Sequence, residues 1–146
     1  MKNIIKITLI FLSFFSISSC SKDDDTTTAI SLVGKWEYYK TGSNEDRLSI
    51  YEHLCSTKND FIEFTQTSSA ETSYGSGCET YTGTYPSYKN ESNRITFYKG
   101  GNQVDFYYEI ISLTETELKV KLFYNTDTSA RQVIVFKKVN KNTSNK

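Results

Sequence analysis

A single histidine, a single proline, one methionine and one tryptophan in 146 residues remove much of the chemistry that short motifs carry. With His53 alone there is no His-Glu-x-x-His pair, no histidine-carboxylate constellation and no zinc-type spacing; Gly-x-Ser-x-Gly and phosphate-loop patterns are missing as well. No enzyme is expected and no catalytic residue is assigned. His53 precedes Cys55 by two residues, but without a second base it reads as a surface or loop residue. Asp23-Asp24-Asp25 lacks the glycine and distal glutamate of a calcium loop, so neither a metal nor a cofactor is expected. Seventeen basic residues meet seventeen acidic ones, which leaves no nucleic-acid footprint. Long helices are also not in evidence: 11 Tyr and 9 Phe with one Pro favour pleated strands.

The apolar run Ile7 to Phe15 is too short to cross a bilayer as a permanent helix. Lys2 and Lys6 precede it and the small residues Ser18-Ser19 follow, in the order of an export signal. Ile17-Ser18-Ser19-Cys20 resembles the lipobox of bacterial lipoproteins. That resemblance implies a cleaved signal peptide at residues 1–19, a diacylglycerol on the Cys20 thiol and a fatty acyl group such as palmitate on its freed amine. Several chains, at about 0.8 kcal/mol per buried methylene, make a stable membrane anchor. Ser21 stands where an aspartate would mark inner-membrane retention, which points to the outer membrane. Ser21-Lys22-Asp23-Asp24-Asp25 resembles the acidic export tag of surface lipoproteins, so a cell-surface location is expected, with periplasmic facing as the alternative.

Loss of residues 1–19 removes two lysines and leaves 15 basic and 17 acidic residues, a net charge of −2. Residues 20–30 then form the lipidated cysteine and a flexible, Thr-rich linker, residues 31–140 a single domain, and residues 141–146 a disordered tail. A monomer is expected. With Cys20 lipidated, Cys55 and Cys78 remain in an oxidising compartment, where a disulfide is the natural reading.

Between residues 31 and 140 the chain divides into about eight short extended segments. Gly34 to Lys40 carries Trp36 and Tyr38 on one face. Leu48, Tyr51 and Leu54 recur at helical spacing, which predicts a short helical turn or cap over Leu48 to Cys55. Phe61 to Thr67 and Ala70 to Gly75 read as a hairpin, and Cys78 to Tyr85 as a strand ended by Pro86. Arg94 to Lys99 and Gln103 to Ser112 flank the turn Gly100-Gly101-Asn102. Val104, Phe106, Tyr108 and Ile110 alternate with polar or outward residues, as do Leu118, Val120, Leu122 and Tyr124, and Arg131 to Lys138 closes the series. Short connections make successive strands antiparallel neighbours, and closure removes the exposed edges. The expected fold is all-β, an eight-stranded antiparallel up-and-down barrel, with a β-sandwich as runner-up.

Ser31-Leu32-Val33-Gly34-Lys35-Trp36 resembles the Gly-x-Trp opening of lipocalins. Asn59 to Phe64, Cys78 before Gly83-Thr84-Tyr85, Tyr108 to Thr114, and Val133 to Val139 follow in the order of the lipocalin-like domain of small bacterial lipoproteins. The resemblance covers nearly all of Leu32 to Val139. Lipocalins set an arginine near the last strand against the tryptophan; the matching end here offers Lys137 or Lys138. The resemblance implies a small apolar or amphipathic ligand in the barrel, with Trp36, Tyr38, Phe64, Phe97, Phe106, Tyr108 and Tyr124 as candidate contacts. An eight-stranded barrel is either just filled by its side chains or holds one small ligand. The alternative is a packed, ligand-free barrel acting as a surface-interaction or glycan-binding module, with Tyr74, Tyr81, Tyr85, Tyr88, Tyr98 and Tyr107 at outward or rim positions.

Overall fold

The computed structural model describes residues 30–140; the predicted signal peptide, Cys20, most of the linker and the tail at residues 141–146 lie outside them. The described residues form ten strands: β1 (Gly34–Gly42), β2 (Leu48–Ile50), β3 (Phe61–Phe64), β4 (Ser69–Tyr74), β5 (Thr80–Tyr85), β6 (Ser87–Glu91), β7 (Arg94–Tyr98), β8 (Val104–Leu113), β9 (Glu117–Tyr124) and β10 (Gln132–Lys138). Nine follow one another as antiparallel neighbours in the order β5-β4-β3-β1-β10-β9-β8-β7-β6, while β2 pairs only with β1. The result is a nearly closed up-and-down barrel, as the alternation and short turns predict.

The first strand joins the two halves. One edge of β1 pairs with β10, from Trp36↔Lys138 to Gly42↔Val133. Its other edge pairs with β3 over Gly34 to Glu37, then with β2 over Lys40 to Gly42. The predicted helical turn at Leu48 to Cys55 is therefore corrected: the chain here is a short strand followed by a loop. Leu54, which the helical spacing would bury, is 69% exposed. Pairing to the unclaimed half of the β1 edge satisfies more backbone groups than an isolated turn could.

The ninth strand of the ring, β6, is a second correction. Pro86 has no N–H and separates β5 from β6, and these two strands do not pair with each other. The seam is held by side chains and by the β3–β4 turn. Tyr88 donates its N–H to the Thr67 carbonyl (3.3 Å) and its hydroxyl to the Thr65 carbonyl (2.8 Å). Tyr85 packs edge-on against Phe97 and Phe106, and Tyr88 against Phe64. Tyr85 and Tyr88 thus turn their rings into the barrel instead of outward, because their cross-strand partners Ser69 and Phe97 are buried. The β6–β7 turn is two residues long, with Ser92 left-handed (φ 56°), and Gly100 (φ 60°) and Gly101 (φ 57°) give β7–β8 its expected glycine turn.

One end of the barrel is packed solid. Trp36, Phe64, Phe97, Phe136, Ile62, Ile95 and Leu118 are fully buried. The Trp36 indole N–H donates to the Leu32 carbonyl (2.7 Å). Lys138 Nζ lies 4.9 Å from the Trp36 ring centroid and donates to the Ser31 carbonyl (2.9 Å), so a lysine supplies the cation at this end. Val133 and Val135, though they alternate with inward Ile134 and Phe136, are buried too. Their cross-strand partners Lys121 and Lys119 bind Glu45 at 3.6 and 3.0 Å, which lays the 43–47 turn against this outer face.

Cys55 and Cys78 form the predicted disulfide, with a Cα–Cα distance of 4.9 Å across 23 residues of sequence. It ties the 51–60 loop to the β4–β5 turn, in which Cys78 itself is left-handed (φ 63°). Cys55→Ser removes roughly 3 kcal/mol of chain-entropy stabilisation and lowers the thermal midpoint by on the order of 10 °C under oxidising conditions. A midpoint equal to that of the parent, measured by calorimetry without reductant, contradicts this role.

Candidate functional site

The end of the barrel opposite Trp36 is not filled. A cavity of about 190 Å³ opens there between β1, β4, β5, β8, β9 and β10. Tyr38, Tyr108, Phe106, Leu122 and Ile134 form its inner wall, and Glu71, Tyr85, Asp105, Tyr124 and Gln132 stand around them. Cross-strand pairing explains why an acid faces inward. Trp36, Ile62, Glu71 and Gly83 form one row across β1, β3, β4 and β5, and Trp36 and Ile62 belong to the core. Glu71 must then point into the barrel. Gly83 beside it contributes no side chain; an added Cβ would find only the Tyr85 hydroxyl, at 3.9 Å. Small or polar inward residues on β4 and β5 therefore leave space where the other strands supply rings.

Asp105 reaches the cavity by a different route. The β7–β8 register shifts between Phe97↔Phe106 and Tyr98↔Val104, so Asp105 is the extra residue of a bulge. A bulge re-aims its side chain, here to the rim, although strict alternation would turn it outward. Its Oδ1 accepts from Lys99 Nζ at 3.0 Å.

The hydroxyls inside are linked. Tyr38 donates to Glu71 Oε1. Burial, then the neighbouring Tyr108 and the Glu71 carboxylate, hold the Tyr38 phenol well above its ordinary pKa. Burial, followed by Glu71, does the same to Tyr108, and burial pushes Tyr85 up to about 12. Tyr51 stacks on Tyr38 with ring centroids 4.9 Å apart and donates to Asp60 Oδ2 (2.8 Å). Asp60, buried, also accepts from the Tyr74 N–H (2.8 Å), and its own N–H donates to His53 Nδ1 (2.9 Å). With Nδ1 acting as acceptor, the His53 proton resides on Nε2, and the 3.7 Å approach of Nδ1 to Asp60 Oδ2 is a contact of a neutral ring and not an ion pair. The only histidine is thus a loop residue that fixes the chain beside the mouth. Among the described residues, no group of three or more His, Cys, Asp or Glu could hold a metal ion.

Of the residues singled out from the sequence, Tyr38, Phe106, Tyr108 and Tyr124 line the cavity. Trp36, Phe64 and Phe97 lie in the buried core and do not line it. Glu71 and Gln132 carry no sequence signal, because β4 has no apolar alternation and a polar residue at a strand end reads as solvent-facing. Glu37, Glu63 and Glu109 face outward: Glu37 and Glu63 alternate with Trp36, Tyr38, Ile62 and Phe64, and Glu109 with Tyr108. The outward rings are dispersed. Phe61 lies under Lys35, Tyr39 under Lys137, Tyr74 under Lys58, and Tyr107 stacks on Phe123 under Arg94.

No family model matches the chain, and no curated protein matches it. Its fold is similar to a crystal structure of a lipocalin-like protein from Bacteroides uniformis, at 15% identity and a TM-score of 0.53 over 74% of this chain and 98% of that one. It is equally similar to an uncharacterized protein from Bacteroides eggerthii, at 13% identity and a TM-score of 0.53 over 75% of this chain and 100% of that one. At these identities the likeness is one of fold.

The raised tyrosines give the barrel an alkaline limit. A phenol whose folded pKa exceeds its unfolded value of about 10 contributes stability that is complete below that pH and is lost as pH rises through the folded value. Denaturant unfolding at stepped pH will show stability falling above about pH 10, with a shallower fall in Tyr108→Phe. Stability that stays flat into strong alkali contradicts the burial of these hydroxyls.

Proposed function

We propose that the protein is a lipoprotein anchored to the outer membrane through Cys20, exposed at the cell surface, whose barrel binds one small molecule in the cup between Tyr38, Glu71 and Tyr108. The observation that carries this reading is the unequal filling of the barrel: solid around Trp36, and open by about 190 Å³ at the other end. That volume is below the roughly 300 Å³ at which pockets for drug-sized ligands begin, and equals the space of about six waters at ~30 Å³ each. With phenols, two carboxylates and an amide in its wall, the cup suits a compact polar or amphipathic ligand better than a long apolar chain. Function on this account is binding, not catalysis.

The anchor is read from the sequence alone, since Cys20 and the signal peptide lie outside the described residues. The fold is compatible with it in one useful respect. Ser31 is held at the packed end by Lys138, so a tether entering there lets the cup open away from the membrane. A surface-recognition role has less support, because the outward rings sit singly or in one pair under cations instead of forming a continuous patch.

Two measurements test the proposal. Cys20→Ala should abolish incorporation of labelled palmitate and move the protein from the membrane fraction to the soluble fraction; retained label contradicts the anchor. Native mass spectrometry of protein purified gently from its own envelope should show a mass excess that disappears after unfolding and refolding. Equal masses before and after would turn the reading toward a barrel without a ligand.

A further inference from the structure

Glu71 is a half-buried carboxylate inside a protein cavity, and its charge is not balanced by any cation of the barrel. Its one hydrogen bond is accepted from a neutral phenol, Tyr38. Among the described residues it takes part in no salt bridge, and no lysine or arginine lines the cavity. Two cations that touch rim residues are already engaged. Lys99 binds Asp105, and Arg131, whose guanidinium is 5.9 Å from the Tyr124 ring, is held by Asp127 at 2.7 and 3.0 Å. A carboxylate in a partly enclosed cavity, with no cation of the barrel against it and with screening by water reduced, offers a partner to an incoming positive charge.

The remainder of the wall has the same polarity. Tyr38, Tyr85, Phe106, Tyr108 and Tyr124 present five aromatic rings to the cavity, and the faces of such rings attract cations, most strongly where water is excluded. Gly83 keeps the approach to Glu71 open from β5. An anion would meet two carboxylates, and a neutral hydrocarbon would strand the hydroxyls and acids without partners. We infer that the cup is selective for a small organic amine, whose ammonium group pairs with Glu71 while its carbon skeleton lies against the Phe106, Tyr108 and Tyr85 rings. This rests on the proposal that the cup binds a ligand, and adds its charge.

Calorimetric titration with benzylammonium, benzyl alcohol and benzoate, which share size and ring and differ in charge, tests the inference. The ammonium should bind about tenfold or more tighter than the alcohol, and benzoate weakest. Glu71→Gln should erase the advantage of the ammonium while leaving alcohol binding in place. Gly83→Val, a strand-compatible substitution that fills the space beside Glu71, should abolish binding of both without lowering the melting temperature. Equal affinity for ammonium and alcohol, or a Glu71→Gln protein that still prefers the ammonium, overturns the amine assignment and leaves the cup reading standing. Unaltered ammonium binding in Gly83→Val places the binding elsewhere and overturns it too. Binding of none of the three overturns it as well, and the cup reading falls with it if the native protein carries no extra mass.

Discussion

The pairing of the first strand with the last is the interaction on which the rest of the structure depends. Without β1–β10 the nine strands fall into two separate sheets, β5-β4-β3-β1 and β10-β9-β8-β7-β6; with it, one sheet wraps round until its edge strands β5 and β6 meet at the seam. The same strand carries Trp36 into the packed end and Tyr38 into the cup. A bulge at Tyr39, the extra residue opposite β10, follows Tyr38 directly and shifts the register of the rest of β1. Closure and site geometry are therefore set by one segment of nine residues.

Closure fixes an interior volume, and side-chain bulk decides how it is divided. Around Trp36 the division favours protein: rings and branched aliphatics from β1, β3, β7, β9 and β10 meet with no room left. Toward the other end, β4 and β5 offer Glu71, Ser73 and Gly83 where a filled barrel would need large apolar residues. The disulfide, with Asp60 and His53, then holds the 51–60 loop against the side of that opening, so the mouth is shaped by covalent and polar links that do not consume its interior. Seven of the protein's polar side chains end up around a space that hydrophobic packing alone would have closed.

Much of this was legible in the residues. Alternation in Val104 to Ile110 and Leu118 to Tyr124, the Gly100-Gly101 turn, the leftover cysteine pair and the Gly-x-Trp opening all lead to the barrel that is observed. What was not legible depends on register. A period of two says that neighbours face opposite ways, but not which face is inside. Tyr85 and Tyr88 are inward because of their partners on β4 and β7, and Glu71 because Ile62 lies across from it. Strand β6 is nearly all polar, and β2 exists only because β1 has an edge to share, so neither has a pattern of its own. Asp105 required a bulge that no local sequence rule announces.

Barrel, seam, disulfide and cup support a binding protein whose specificity resides in a few polar groups around an aromatic floor. The most direct test is a high-resolution crystal structure of the protein as purified from its own envelope, without a refolding step. This account predicts a small non-protein molecule in contact with Tyr38, Glu71 and Tyr108, with Trp36 fully enclosed at the other end. A collapsed mouth, with the Tyr85 and Tyr124 rings meeting across it and no space between them, would contradict it.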